Sequence, residues 1–158
     1  MDEAAHTQKL DGIEEGLGRE ETIYRARFSE VQEEIRAQVW CVLVRDFFSR
    51  FLKGADTVVD VGAGDGNFIR NVTARRRVAV DLSPHVHDLE QSGVEVMQIP
   101  ASEFAGALGG TADIVFMSNF LEHLPSKRAV LDVFDESRRA LKPGGLLLIL
   151  QPNIRYVG

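Results

Sequence analysis

Only one cysteine, Cys41, occurs in the 158 residues, so no internal disulfide can form and the fold must be held by packing, as in a reducing compartment. Cys41 lies in an apolar helical stretch and reads as a packing residue rather than a nucleophile. No segment approaches the ~20 consecutive apolar residues of a membrane span, and no apolar run follows Met1. The expectation is a soluble, cytoplasmic protein with no membrane partner. Positive charge is also short: 18 Lys and Arg against 24 Asp and Glu leave a formal charge of −6. A general nucleic-acid binder needs a net basic face, so nucleic acid is not expected as a partner. The one tight basic cluster, Arg75-Arg76-Arg77, reads as a solvated helix end. Repeats and low-complexity tracts are lacking too. What remains is an ordinary globular composition, 44% hydrophobic and 27% charged, enough for one domain with a proper core.

Residues 1–21 are charged, glycine-punctuated and poor in apolar side chains, which predicts a segment ordered only by a partner, if at all. Residues 22–53 are expected to form an N-terminal helical segment, as one helix or two in succession. Between Phe28 and Lys53 the positions Val31, Ile35, Val39, Val42, Leu43, Phe47 and Phe51 recur at helical spacing, with Ser29 as N-cap and Gly54 as stop. Trp40, Val44, Phe48 and Leu52 widen that stripe, part of which could line a substrate pocket. From residue 54 to residue 158 the pattern alternates. Strands are expected at Thr57–Val61, Arg77–Asp81, Val94–Gln98, Ala112–Met117 and Leu146–Gln151. Helices are expected at Asn67–Ala74, Pro84–Gln91, Ser102–Leu108 and Ser126–Ala140. Repeated strand–helix–strand units imply an α/β fold, a Rossmann-like parallel sheet with helices on both faces. In such sheets the ligand sits at the C-terminal strand edge.

The most informative stretch is Val58-Val59-Asp60-Val61-Gly62-Ala63-Gly64-Asp65-Gly66. A β-branched run enters three alternating glycines, and Phe68, Ile69 and Val72 follow as the start of a helix. Glycine permits backbone angles closed to other residues and leaves no side chain between backbone and ligand. A helix N-terminus behind the turn would suit an anionic ligand group. A dinucleotide loop usually reads G-x-G-x-x-G, whereas here the third glycine comes one residue early and Asp60 precedes the first. Asp81 closes Val78-Ala79-Val80-Asp81, 21 residues beyond Asp60, close to the ~20-residue interval at which a carboxylate meets a ribose. Asp81 could instead cap the segment from Pro84, although Ser83 can do so itself. Farther on come Ser118-Asn119-Phe120-Leu121-Glu122-His123-Leu124 and Leu141-Lys142-Pro143-Gly144-Gly145, each beside an apolar strand.

Taken together, D-x-G-x-G-x-G at Asp60–Gly66, Asp81, Glu122-His123-Leu124 and the Leu141–Gly145 segment resemble the motifs of class I S-adenosylmethionine-dependent methyltransferases of the small-molecule type. The resemblance covers Thr57 to Pro152 and implies S-adenosylmethionine as cofactor, with S-adenosylhomocysteine as product. It implies a cofactor site made of Asp60, Gly62, Ala63, Gly64, Gly66, Asp81, Leu82, Ala101, Ser102, Met117 and Ser118. Asp60 would hold the ammonium end of the methionyl portion or brace the loop through backbone N–H groups, and both roles can coexist. One position departs from the pattern: where the family commonly has an Asp reaching the adenine amino group, Ile99-Pro100-Ala101-Ser102 stands here. Pro100 offers neither carboxylate nor N–H, which moves that contact to the Ala101 backbone, Ser102 or Glu103.

The resemblance implies methyl transfer to a small-molecule acceptor, with a hydroxyl favoured. His123 is the candidate general base, and a purely structural role in the turn is its alternative. His85, His87 and Asp88 lack further ligands at a metal-binding spacing, so no metal is expected. Family members continue with a helix and an antiparallel hairpin after the fifth strand. The five strands here imply a C-terminally truncated core whose exposed fifth strand favours self-association. A nicotinamide-dependent reductase is disfavoured by the glycine spacing and by the lack of a Tyr-x-x-x-Lys pair. A methyltransferase-like module that binds without turnover stays open. Base methylation of nucleic acid is disfavoured because Ser118-Asn119-Phe120-Leu121 replaces the Asn/Asp-Pro-Pro-aromatic segment.

Overall fold

The computed structural model describes residues 30–153. The expectations for residues 1–21, for the Ser29 cap and for the chain end at 154–158 lie outside the described residues. The chain divides into two compact units between Val39 and Trp40. Described residues 30–39 of the first unit belong to helix α1 (Glu30–Val42). The second unit, from Trp40 onward, carries the sheet and the whole candidate site.

Helix α1 passes into a π-helical turn, Leu43–Phe48, and then into α2 (Ser49–Leu52). Val44, Phe48 and Leu52 are buried, and Trp40 packs partly against the same cluster. Their four-residue interval sets the inward face. Of the expected main stripe, Val42, Phe47 and Phe51 in this unit are at least 36% exposed. Bonding from i to i+5 in the π turn adds a residue per turn, so a strict four-residue interval stays on one side while the mixed three-and-four pattern drifts off it. On the outer side the Arg50 guanidinium lies 4.0 Å from the Phe47 ring centroid and 5.2 Å from that of Phe51.

Five parallel strands follow: β1 (Thr57–Val61), β2 (Arg76–Val80), β3 (Glu95–Met97), β4 (Ala112–Ser118) and β5 (Leu141–Leu150), in the order β3-β2-β1-β4-β5. The order reverses between β1 and β4, and open α/β sheets bind ligands at the C-terminal edge of such a reversal. Side chains alternate between faces, as the strand repeat requires. Val58, Ala79, Ile114 and Phe116 join Val44, Phe48, Phe68, Ile69, Val86 and Leu89 on one side. Val59, Val61, Val78, Val80, Val115 and Met117 join Phe104, Leu108, Val133 and Ala140 on the other. Phe68 and Phe116 stack at 3.7 Å between centroids, with Trp40 edge-on to both.

The helices differ from expectation more than the strands do. Behind the glycine loop only a 3-10 turn, Ile69–Asn71, forms, and Val72 is already extended. Asn67, Asn71, Val72 and Thr73 are poor helix formers, and Asn71 Nδ2 donates instead to the Asn67 carbonyl at 2.8 Å. The segment Pro84–Ser92 is 3-10, capped by Ser83, whose Oγ accepts from His85 N–H at 3.3 Å. Residues Ser102–Leu108 reduce to α3 (Ala105–Leu108), whose first N–H donates to the buried Glu136 carboxylate of α4 (Lys127–Ala140). Helix α4 starts as expected, with Ser126 Oγ accepting from Ala129 N–H at 3.1 Å. Strand β5 starts five residues before the expected Leu146: Leu141 pairs with Ala112, and the register shifts before Leu146 meets Ile114. Leu146, Ile149 and Leu150 on this edge strand are exposed. Among the described residues no helix is long and apolar enough to cross a membrane.

Candidate cofactor site

The glycine loop leaves β1 and turns at once. Gly62 N–H and Ala63 N–H both donate to the Val80 carbonyl, at 2.8 and 3.3 Å, and Gly66 N–H closes on the Ala63 carbonyl at 2.8 Å. Gly62, Gly64 and Gly66 have φ of +70°, +50° and +68°, a region that other residues enter at a cost. Their surroundings separate their roles. A Cβ at Gly62 would clash with the Phe120 ring, and one at Gly66 would clash with Leu89 Cδ2. Gly64 has nothing within 4 Å of that position. The outer glycines are thus packed against side chains from other elements, and the middle one is exposed with open space beside it.

Asp81, one residue past β2, is the hub. Its Oδ2 accepts from Gly64 N–H at 2.8 Å and its Oδ1 from Ser83 N–H at 2.8 Å, while its own N–H donates to the Met97 carbonyl at 3.2 Å. Glycine loop, β2 end and β3 end are therefore tied through one residue. Leu82 beside it is exposed, and its carbonyl accepts from Gln98 Nε2 at 3.3 Å. Gln98 Oε1 faces His87 Nε2 at 3.2 Å, and His87 Nδ1 faces Glu90 Oε1 at 2.8 Å. The Glu90 carboxylate and Gln98 amide raise the His87 pKa by stabilising the imidazolium. His87 is thus engaged in bracing β3 against the preceding segment. Among the described residues no group of three or more His, Cys, Asp or Glu could hold a metal ion.

Asp60 lies beneath the loop, 3% exposed. Burial pushes its carboxyl up to about 8, against the pull of a hydrogen bond from the Ile69 N–H and with added repulsion from Asp81. Ala63 packs partly against the first cluster and Ala101 against the second. Ser102 is exposed, Glu103 N–H donates to the Pro100 carbonyl at 3.0 Å, and Ser118 is half-buried at the end of β4. Met117 is fully buried in the second cluster. The short 3-10 turn behind the loop replaces the expected helix, so no developed helix dipole faces the crevice.

After β4 the chain turns sharply. Asn119 takes φ +46° and donates its N–H to the Leu150 carbonyl at 3.0 Å, which directs Phe120 back onto Gly62. His123 ends the 3-10 turn Leu121–His123, exposed, and among the described residues its imidazole has no hydrogen-bond partner. Glu122 accepts from Gln151 Nε2 at 2.8 Å. Phe120 and Leu89 escaped the sequence reading. The signal available for Phe120 was a bulky ring placed directly after a strand end that faces the glycine loop.

Residues 32–156 match the family model described as a methyltransferase domain. A probable methyltransferase, ltbC, of Aspergillus luteorubrus is 28% identical over 141 residues, which is 78% of this chain and 48% of that protein. The ubiquinone biosynthesis O-methyltransferase of Pseudomonas paraeruginosa is 31% identical over 107 residues, 61% of this chain and 44% of that one. This chain therefore spans about half the length of the curated relatives it matches. Among solved structures, a SAM dependent methyltransferase from Archaeoglobus fulgidus superposes with a TM-score of 0.62 at 23% identity, covering 75% of this chain and 53% of its own. With the glycine loop, the Asp81 hub and the sheet order in place, the chain belongs to the methyltransferase domain family.

Proposed function

We propose that this chain is the cofactor-binding portion of an enzyme that transfers a methyl group from S-adenosylmethionine to a hydroxyl of a small-molecule acceptor. The observation that carries the reading is the tie between Gly64 N–H and Asp81, which joins an open glycine to a carboxylate at the end of the neighbouring strand β2. Both Asp81 oxygens already accept one backbone N–H each, yet an ionised carboxylate has about four lone-pair sites, which leaves capacity for two ribose hydroxyls. Leu82, exposed beside it, supplies an apolar flank for the base, and the Ala101 N–H and Ser102 hydroxyl stand in for the carboxylate that Pro100 lacks. Gly64 offers close backbone approach, with Gly62, Ala63 and Gly66 shaping the turn around it, Asp60 buried just before it, and Ser118 ending β4 with Met117 buried behind.

When bound, the cofactor supplies an already activated methyl on a positively charged sulfur, so the protein's main contribution is alignment. His123 stands on the β4 side of the loop, exposed and unbonded among the described residues, as a base able to take the acceptor's proton. The hydroxyl assignment draws on the O-methyltransferase relative. A cytoplasmic location and self-association along the exposed β5 edge complete the proposal. Calorimetric titration tests it: S-adenosylhomocysteine should bind and NADH should not. Binding of NADH alone would overturn it.

A further inference from the structure

Asp60 sits in the middle of the sheet, paired in register with Ala79 on β2 and Phe116 on β4. It is 3% exposed, and its neighbours on that face are the apolar side chains around Phe68 and Ile69. The groups that act on its carboxylate are few. The 3-10 turn contributes the Ile69 N–H, the end of β2 contributes the negative charge of Asp81, and β4 contributes the apolar Phe116. Among the described residues no Lys, Arg or His forms an ion pair with it. A buried carboxylate without a counter-charge is far more costly than the neutral acid, and one backbone N–H does not offset that cost. The ligand that this loop receives carries positive charge at its sulfonium and at its α-ammonium.

We infer that Asp60 is protonated in the ligand-free protein at neutral pH and ionises when S-adenosylmethionine binds, releasing one proton to solvent. The inference rests on the cofactor assignment and adds a property that the glycine pattern does not imply: the site senses the charge of its ligand. During transfer the carbon–sulfur bond breaks, its electron pair stays on sulfur as a neutral thioether, the methyl carbon bonds the acceptor oxygen, and the hydroxyl proton leaves. With the sulfonium charge gone, Asp60 is again a buried carboxylate facing less positive charge, and it recaptures a proton from solvent. Substrate and product cofactor, which differ by one methyl and one charge, are thereby told apart by a residue buried in the sheet.

The test is calorimetric titration of the 158-residue chain at pH 7 in buffers of different ionisation enthalpy. Binding of S-adenosylmethionine should release between about one half and one proton, and binding of S-adenosylhomocysteine clearly less. Affinity for S-adenosylmethionine should rise about tenfold from pH 6 to pH 7 and flatten above about pH 8. Asp60→Asn keeps an acceptor for the Ile69 N–H and imitates the protonated acid, so it should bind with no Asp60-dependent release. Buffer-independent heats in the unmodified protein, or the same proton count in Asp60→Asn, would overturn the inference. If neither ligand binds the unmodified protein, the cofactor assignment itself fails. Should Asp60→Asn not fold, the 13C carboxyl resonance of Asp60 decides. A midpoint above pH 7 in the free protein, falling on addition of S-adenosylmethionine, supports the inference, and an ordinary carboxylate midpoint in the free protein refutes it.

Discussion

The Asp81 carboxylate and the Gly64 backbone N–H meet at 2.8 Å, joining the turn after β1 to the turn after β2. The other carboxylate oxygen takes the Ser83 N–H, so one side chain holds both turns. Replacing it with alanine removes two charge-assisted acceptors at once. Asp81→Ala should weaken S-adenosylhomocysteine binding by about 1–3 kcal/mol, with Asp81→Asn less affected because one acceptor survives. Calorimetry checks this, and an alanine variant that binds as tightly as the unmodified protein would remove Asp81 from the site.

The three loop glycines should respond differently to added side chains. Gly64→Val meets open space, so its cost to folding is backbone strain of about 1–2 kcal/mol, while cofactor binding should be lost. Gly62→Ala adds the same strain and a clash with Phe120, and should therefore lower the melting temperature more. Phe120→Ala in the Gly62→Ala background should recover part of that loss. A thermal double-mutant cycle with no coupling between positions 62 and 120 would contradict the contact.

Asp113 gives one direction of pH dependence. Burial opposes its charge, but the ion pair with Lys142 and the N–H groups of Thr57 and Asp56, at 2.8 and 3.0 Å, outweigh it and hold its pKa below the ordinary value. A lowered folded-state pKa contributes stability that is present above the unfolded value of about 4 and is lost as pH falls through the folded one. Asp113→Asn should cost about 1–3 kcal/mol at pH 7, and the difference should close in strong acid. Urea unfolding at a series of pH values measures it.

Asp60 gives the opposite direction. Its folded-state pKa, about 8, is far above the unfolded one, so the folded chain holds the extra proton. Stability from this group is full below about pH 4 and declines as pH rises toward 8. Asp60→Asn should therefore be more stable than the unmodified, ligand-free protein at pH 8, with the gap narrowing at pH 5. A gap that widens toward acid would mean that Asp60 is ionised and paired when folded.

The strands were legible because their residues are dictated locally. Thr57–Val61 is β-branched apart from Asp60 and buried throughout, and it begins and ends where the sequence puts it. The segments lost to sequence reading depend on partners. Asn67–Ala74 has helix-like apolar spacing, yet its Asn and β-branched residues stop the helix after one 3-10 turn. Between Trp40 and Leu52 the buried positions keep a strict four-residue interval because the π turn changes the residue count per turn, which apolar spacing alone does not reveal. Asp81 was singled out by its sequence interval from Asp60, and the structure sets it against the glycine loop. The pairing of Lys142 with Asp113, which gives the Leu-Lys-Pro-Gly-Gly segment a structural purpose, and the contacts of Phe120 and Leu89 with loop glycines join positions too far apart in the chain for spacing to reveal.

Asn119 holds a left-handed kink, and the ring it turns back leaves the first glycine no slack on that flank. Leu89 crowds the third glycine in the same manner. The shape of the turn after β1 is thus cast by side chains from two distant segments, and loosening either of them would reach the turn without altering any of its own residues.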